Sequence, residues 1–109
     1  MLGPGPAARL TIHVSGSALW HHKPLYAEIV HRARAYGLAG ASVLHATHGF
    51  GPHLTLHADR TSRLTRHGPC AVVIVDDETR LRAFAEELHD ALGDTGLVVL
   101  DRVTVYRAG

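Results

Sequence analysis

The sequence predicts an α+β fold in the order β-α-β-β-α-β, the ferredoxin-like plan, a four-stranded antiparallel sheet with two helices on one face. Three observations carry this. Four segments have the apolar alternation or β-branched density of strands: Arg9–Gly16, Ala41–Gly49, Cys70–Asp77 and Leu97–Arg107. Two stripes at helical spacing separate the first strand from the second and the third from the fourth. The chain's 109 residues suit one compact domain and leave little room for two.

Gly3, Pro4, Gly5 and Pro6 mark a frayed start, so residues 1–8 are expected to be a flexible tail and residues 9–109 the domain. In the first strand Leu10, Ile12 and Val14 share one face, while Thr11, His13 and Ser15 share the other. Pro24 suits the first turn of a helix, where its missing N–H costs little. Leu25, Ile29, Ala33 and Tyr36 follow at helical spacing, Glu28, Arg32 and Arg34 take the wet side, and Gly37 is placed to cap the end in a left-handed conformation. Asp76 or Asp77 is positioned to cap the second helix, whose stripe is Leu81, Phe84, Ala85, Leu88 and Leu92, ending at Gly93.

An open antiparallel sheet normally alternates, with one wet face. The third strand does not: Ala71 to Val75 send apolar groups to both faces, and Leu97 to Leu100 repeat this in the fourth. An apolar face of that extent implies an interface, and the expectation is a closed homo-oligomer.

The second and third strands are joined by about 20 residues, far longer than ordinary connections. This stretch, "GFGPHLTLHADRTSRLTRHG" from Gly49 to Gly68, is where activity is expected, the loop proper spanning residues 50–69. Gly49 and Gly51 flank Phe50; two glycines allow positive φ and close approach of backbone N–H groups to phosphate or carboxylate oxygens. The competing structural reading is a sharp exit from the strand. Arg102 and Arg107 bracket the last strand, and arginine grips such anions bidentately. The loop's Arg60, Arg63 and Arg66 are expected to be solvated.

Composition excludes several classes. A formal charge of +1 provides no broad basic field, so no nucleic-acid partner is expected. No segment approaches the roughly 20 apolar residues of a membrane span, and Met1–Arg9 lacks the apolar centre of a signal peptide. A cytoplasmic protein is expected. The lone Cys70 beside an apolar run reads as a buried structural thiol. Ten histidines are unusual, yet no Cys pair or His-Glu-x-x-His accompanies them, and Pro52 disfavours the helix that would align His53 with His57. No metal site is assigned. No nucleophile elbow or paired carboxylate appears, so no catalytic residue is assigned and the chain is not expected to be an enzyme.

With this order of elements in place, several motifs resemble the PII signalling proteins: His-Gly-Phe-Gly at His48–Gly51, Gly-Asp-x-Gly at Gly93–Gly96, and the closing "DRVTVYRAG". Over nearly the whole chain, "LTIHVSGS", "KPLYAEIV", "GLAGASVLHATHGFG", "LHADR" and "PCAVVIVDD" resemble a bacterial PII-like family, domain of unknown function 190. The resemblance implies a homotrimeric regulatory or ligand-sensing protein. Its ligand would be a small anionic metabolite or an adenine nucleotide held in clefts between subunits, with loop ordering changing partner binding. Arg107 corresponds to a basic position near nucleotide phosphates in such proteins, and His21 and His57 match histidines typical of the family. The ligand-binding candidates are therefore Gly49, Phe50, Gly51, His21, His57, Arg102 and Arg107.

The chain departs from classical PII proteins in three ways. No basic, glutamine-containing run follows Gly51, "HDALGDTG" holds no Thr-Gly-Lys, and the modified loop tyrosine has no counterpart. ATP and ADP sensing, nitrogen signalling and uridylylation therefore do not simply carry over. Two other functions compete: a metabolite-independent interaction module for a membrane transporter or channel, and a metal-binding or metal-tolerance protein.

Overall fold

The alternation of the first strand extends further toward the N-terminus than its sequence suggested. In the computed structural model, which describes residues 2–46 and 68–108, β1 runs Gly5–Ser15. Residues 5–8, expected as tail, pair with the last strand from Gly5↔Val105 to Ala8↔Arg102, and Ala7 and Ala8 are buried. Two alanines can pack there without bulk, which explains why a Gly-Pro start still joins the ladder. A two-residue hairpin follows, β2 (Leu19–Trp20) and β3 (Lys23–Pro24). Then come α1 (Leu25–Tyr36), β4 (Ala41–His45), β5 (Pro69–Asp76), α2 (Glu78–Glu87), α3 (His89–Leu92) and β6 (Leu97–Val105). The main sheet has the order β4-β5-β1-β6 with antiparallel pairing throughout, the expected ferredoxin-like topology.

The helices cover one face of the sheet. Leu10, Ile12 and Val14 of β1 and Val72 and Ile74 of β5 meet Leu25 and Ile29 of α1 and Leu81, Phe84, Leu88 and Leu92 of the second helical stretch. That stretch is two helices rather than the single one expected, because Leu88 ends α2 with φ −84° and ψ −3° before α3 resumes. The break keeps Leu88 and Leu92 in the core. Helix α1 closes as predicted: Gly37 has φ +85°, its N–H donates to the Arg34 carbonyl, and the Leu38 N–H donates to the Ala33 carbonyl, each at 3.1 Å. This Schellman closure satisfies carbonyls that would otherwise lack partners.

Asp76 caps differently from the expectation. Asp77 is the N-cap residue of α2, but its side chain makes no capping bond. The Asp76 carboxylate is buried and accepts hydrogen bonds from the N–H groups of Asp77 at 2.7 Å and Ala39 at 2.8 Å. Arg80 approaches the same carboxylate at 3.3 Å and donates to the carbonyls of Tyr36 and Gly37. One buried carboxylate thus ties the end of β5, the start of α2 and the turn after α1 together.

The other sheet face is uncovered in the monomer and is largely apolar, as the sequence predicted. Register puts Ala71, Val73 and Val75 of β5 on this face beside His13, Thr11 and Arg9 of β1. Leu97 and Val99 of β6 flank His13 and Thr11 from the other side, and Leu44 of β4 extends the face past Ala71. Leu44 is 59% exposed, Leu97 47% and Val99 40%, values that leave much greasy surface in water. Among the described residues, no helix is long and apolar enough to cross a membrane.

Candidate functional site

The antiparallel ladder assigns every loop to one of two ends. At the first end β1 stops at Ser15, β4 at His45, β5 begins at Pro69 and β6 at Leu97. The Gly16 N–H donates to the Gly68 carbonyl at 2.7 Å, and the Ala46 N–H to the Pro69 carbonyl at 2.9 Å, so both roots of the long connection are pinned there. The turn Gly93–Gly96 belongs to the same end. Gly93 has φ +57° and Gly96 φ +86°, a backbone path that side chains resist. Gly96 is also sterically required: a Cβ there would lie 3.0 Å from the His13 carbonyl oxygen and 3.2 Å from Val14 Cγ1. The turn is fixed by Thr95, whose N–H and Oγ1 both donate to the Leu92 carbonyl, at 2.9 and 2.7 Å.

Beside this turn lies a cavity of about 300 Å³ whose lining includes Glu86, His89, Asp94, Thr95 and Val98. Its ionisable side chains are two carboxylates and a histidine, with His89 Nε2 3.5 Å from Glu86 Oε2. An anion in this recess would find glycine backbone but, among the described residues, no guanidinium.

The guanidiniums are at the opposite end. Arg102 and Arg107 lie at and beyond the far part of β6, near the start of β1 and of α2. Arg102 Nε donates to Glu78 Oε1 at 2.9 Å, and Arg82 Nε donates to the second oxygen of the same carboxylate at 2.9 Å. Hydrogen bonds from Arg102, and then Arg82, hold the Glu78 carboxyl below its ordinary pKa, and the same pairing raises that of Arg102. Arg102, Glu78 and Thr104 share a second recess of about 370 Å³ with Pro6 and Ala7. Arg107 is exposed beyond the strand. The nine residues of β6 separate its ends by roughly 26 Å at about 3.3 Å per residue, so no ligand can touch both the Gly93–Gly96 turn and Arg107 of one chain.

His21 occupies a third place. With His22 it forms the tip of the β2–β3 hairpin, at φ +48° and +69°, the double left-handed geometry of a type I′ turn. Its ring stacks on Trp20 at 4.2 Å, and Arg32 covers the Trp20 ring at 5.3 Å. Arg32 also bridges Glu28 at 2.7 Å and Asp90 at 2.9 Å. The bond to Asp90, then that to Glu28, raises the pKa of this guanidinium above its usual range. The stack therefore fastens the hairpin onto α1 and α3, the packing role that competes with ligand contact for His21. Gly49, Phe50, Gly51 and His57 lie outside the described residues.

The sequence reading did not count Thr95 or Gly96 among candidate residues, although the Gly-Asp-x-Gly pattern signalled the turn. Among the described residues, no three His, Cys, Asp or Glu side chains gather as a metal-binding group. Cys70 is a buried free thiol, as expected, and burial pushes its pKa up to about 11.

The comparisons with known proteins agree with this architecture. The chain superposes on CPII from Thiomonas intermedia K12 bound to ADP, AMP and acetate with a TM-score of 0.68 at 15% identity, covering 97% of this chain and 94% of that one. For CPII bound to ADP and bicarbonate the TM-score is 0.67 at 17% identity, with 94% and 90% covered. A PII-like signaling protein from Thermus thermophilus gives a TM-score of 0.68 at 14% identity, with 96% and 94% covered. The fold is therefore PII-like. In sequence, the chain is 31% identical over 96 residues to the UPF0166 protein of Aquifex aeolicus (strain VF5), covering 88% of this chain and 90% of that one. The model of domain of unknown function 190, described as Uncharacterized ACR, matches residues 7–105. With that match running from the first buried alanine to the end of β6, the chain belongs to the domain of unknown function 190 family.

Proposed function

We propose that this chain is a homotrimeric, cytoplasmic PII-like signalling protein, not an enzyme, that binds a small anionic metabolite in clefts between subunits. An adenine nucleotide is the leading ligand. The observation that carries the reading is the separation of the two half-sites: the Gly93–Gly96 turn with acidic neighbours at one end of the sheet, and Arg102 and Arg107 at the other. A second copy in a closed ring can bring its basic end to the first copy's glycine turn, and the open apolar face supplies the surface on which copies meet. In such a cleft the Gly93–Gly96 turn and the Gly49–Gly51 segment would meet phosphate oxygens with backbone N–H groups, while Arg107 adds the charge-assisted bond. The likeness in fold to CPII, whose structures hold ADP, AMP and bicarbonate, supports the choice of ligand. Coupling ligand occupancy to the conformation of the segment from Phe50 to Gly68 would let the trimer choose a protein partner, with a membrane transporter or channel as one class.

Titration calorimetry of untagged protein against ADP, AMP, ATP and bicarbonate tests this. Saturable binding of at least one adenine nucleotide is expected, weakened about tenfold by Arg107→Ala, the loss of ~1.4 kcal/mol. Absence of saturable heat or thermal shift with all four ligands would overturn the proposal.

A further inference from the structure

Among the described residues, the open face of the sheet carries one titratable group at its apolar centre. His13 is partly buried on the interior strand β1. Its direct cross-strand neighbours are Ala71 on β5 and Leu97 on β6, with Leu44 beyond Ala71 on β4. The diagonal neighbours on this face are Val73 and Val99, and along β1 the residues two away are Thr11 and Ser15. The charged groups of the same face are set apart: Arg9 lies four residues along β1 and is bonded to Asp101 of β6 at 2.6 Å. From the adjoining turn, Asp94 is exposed. β4 and β5 present no charged side chain to this face among the described residues, since His45 turns to the helix side, where it meets Tyr26 at 5.3 Å.

We propose that His13 makes assembly of the chain proton-sensitive: copies associate through the apolar face with His13 neutral, and protonation of His13 drives them apart. This rests on the reading that the face is covered by further copies of the same chain. The occupant is argued from the face itself, which among the described residues offers Leu44, Val73, Leu97 and Val99 with the Arg9–Asp101 ion pair internally satisfied, and from the half-sites, whose described parts lie at opposite ends of one copy. An imidazole accepts a proton near pH ~6.5 in water. In the separated chain an imidazolium on this face is hydrated; in the assembly it would be sealed among Ala71, Leu97 and their counterparts, where an unpaired charge is strongly disfavoured. The separated state therefore binds more protons, so association strengthens as pH rises and weakens as it falls. With His13 contributed once by each chain, the trimer association constant falls by up to roughly tenfold per His13 per pH unit, about a thousandfold for three.

Sedimentation velocity at about pH 8 and about pH 5.5, with circular dichroism on the same samples, tests the inference on wild type, His13→Gln and His13→Leu. Gln keeps a polar group of similar size, and Leu guards against a failure specific to an unpaired amide. The expected result is a wild type assembled at the higher pH and dissociated but folded at the lower one, with both variants assembled at each. Wild-type assembly that is equal at the two pH values would overturn the inference and leave the assembly reading standing. Acid dissociation that persists in both variants, or that accompanies unfolding, would do the same. A wild type monomeric at the higher pH would instead remove the assembly reading, and this inference with it.

Discussion

Replacing Asp76 by alanine tests whether one carboxylate organises three elements. The side chain is 2% exposed and accepts from the Ala39 N–H at 2.8 Å and the Asp77 N–H at 2.7 Å. Hydrogen bonds to a charged group contribute about 1.5–3 kcal/mol each. Ala39 and Asp77 are themselves exposed, so water recovers part of that loss. The Arg80 contact, at 3.3 Å with Arg80 more than a third exposed, is screened and adds little by itself. The expected cost of Asp76→Ala is therefore about 3 kcal/mol, a large share of a total stability on the order of 5–15 kcal/mol. Urea unfolding followed by circular dichroism, at one fixed protein concentration so that association does not intrude, measures it. Asp76→Asn retains one acceptor and should cost roughly half as much, while Arg80→Met should cost only about 1 kcal/mol. An Asp76→Ala change within about 0.5 kcal/mol of wild type, or Asn as costly as Ala, would refute the reasoning.

Three further outcomes follow from local geometry. Gly96→Ala combines φ +86° with a Cβ 3.0 Å from the His13 carbonyl oxygen, so it should lower stability by at least about 2 kcal/mol, read as a fall in melting temperature. His22→Gly should raise stability by roughly 0.5 kcal/mol, because the left-handed cost at φ +69° slightly exceeds the entropy a glycine adds to the unfolded chain; a lowered melting temperature would contradict this. Cys70, its pKa pushed up to about 11 by burial, should resist an aromatic disulfide reagent in native buffer near pH ~8 and react fully once the chain is unfolded in guanidinium chloride. Because this folded-state value lies above the ordinary thiol value of 9.0, the stabilisation is intact below the unfolded pKa and is lost as pH rises toward the folded one. Wild type should therefore lose more stability than Cys70→Ala across that alkaline interval.

Strand order, the covered and open faces, the glycine end of α1 and the buried thiol were legible because each rests on a local pattern: alternation, helical spacing or a left-handed cap. The misreadings involved competition that a pattern does not record. Gly5 and Pro6 read as a tail, yet nine-residue β6 reaches far enough to pair with them, and Ala8 joins the core under the helices. The His21–His22 tip carried no glycine or asparagine to signal a type I′ turn; the Trp20 and Arg32 stack holds a turn that propensity alone disfavours. Asp76 and Asp77 were equivalent cap candidates until strand register turned the first inward and the second outward. Arg102 and Arg107 were recognisable by type, but the sequence could not reveal that they lie at the opposite end of the sheet from the Gly93–Gly96 turn.

That division constrains chemistry more than any single motif does. At the Gly93–Gly96 end an anion would meet backbone dipoles alongside Glu86 and Asp94, and a phosphate facing two carboxylates needs a nearby cation to be held. No Thr-Gly-Lys follows the helix to supply one from the same chain, as the sequence from His89 to Gly96 shows. Arg102 is committed to Glu78, and among the described residues of β6 and its exit Arg107 is the exposed guanidinium without that commitment, roughly 26 Å or more away along the strand. Under the proposed function, affinity for a phosphorylated ligand would draw on the approach of another copy, so that binding and association would be linked and each would strengthen the other. Diluting the protein until it dissociates should weaken nucleotide binding in proportion, whereas a ligand site contained within one chain would hold its affinity at every concentration.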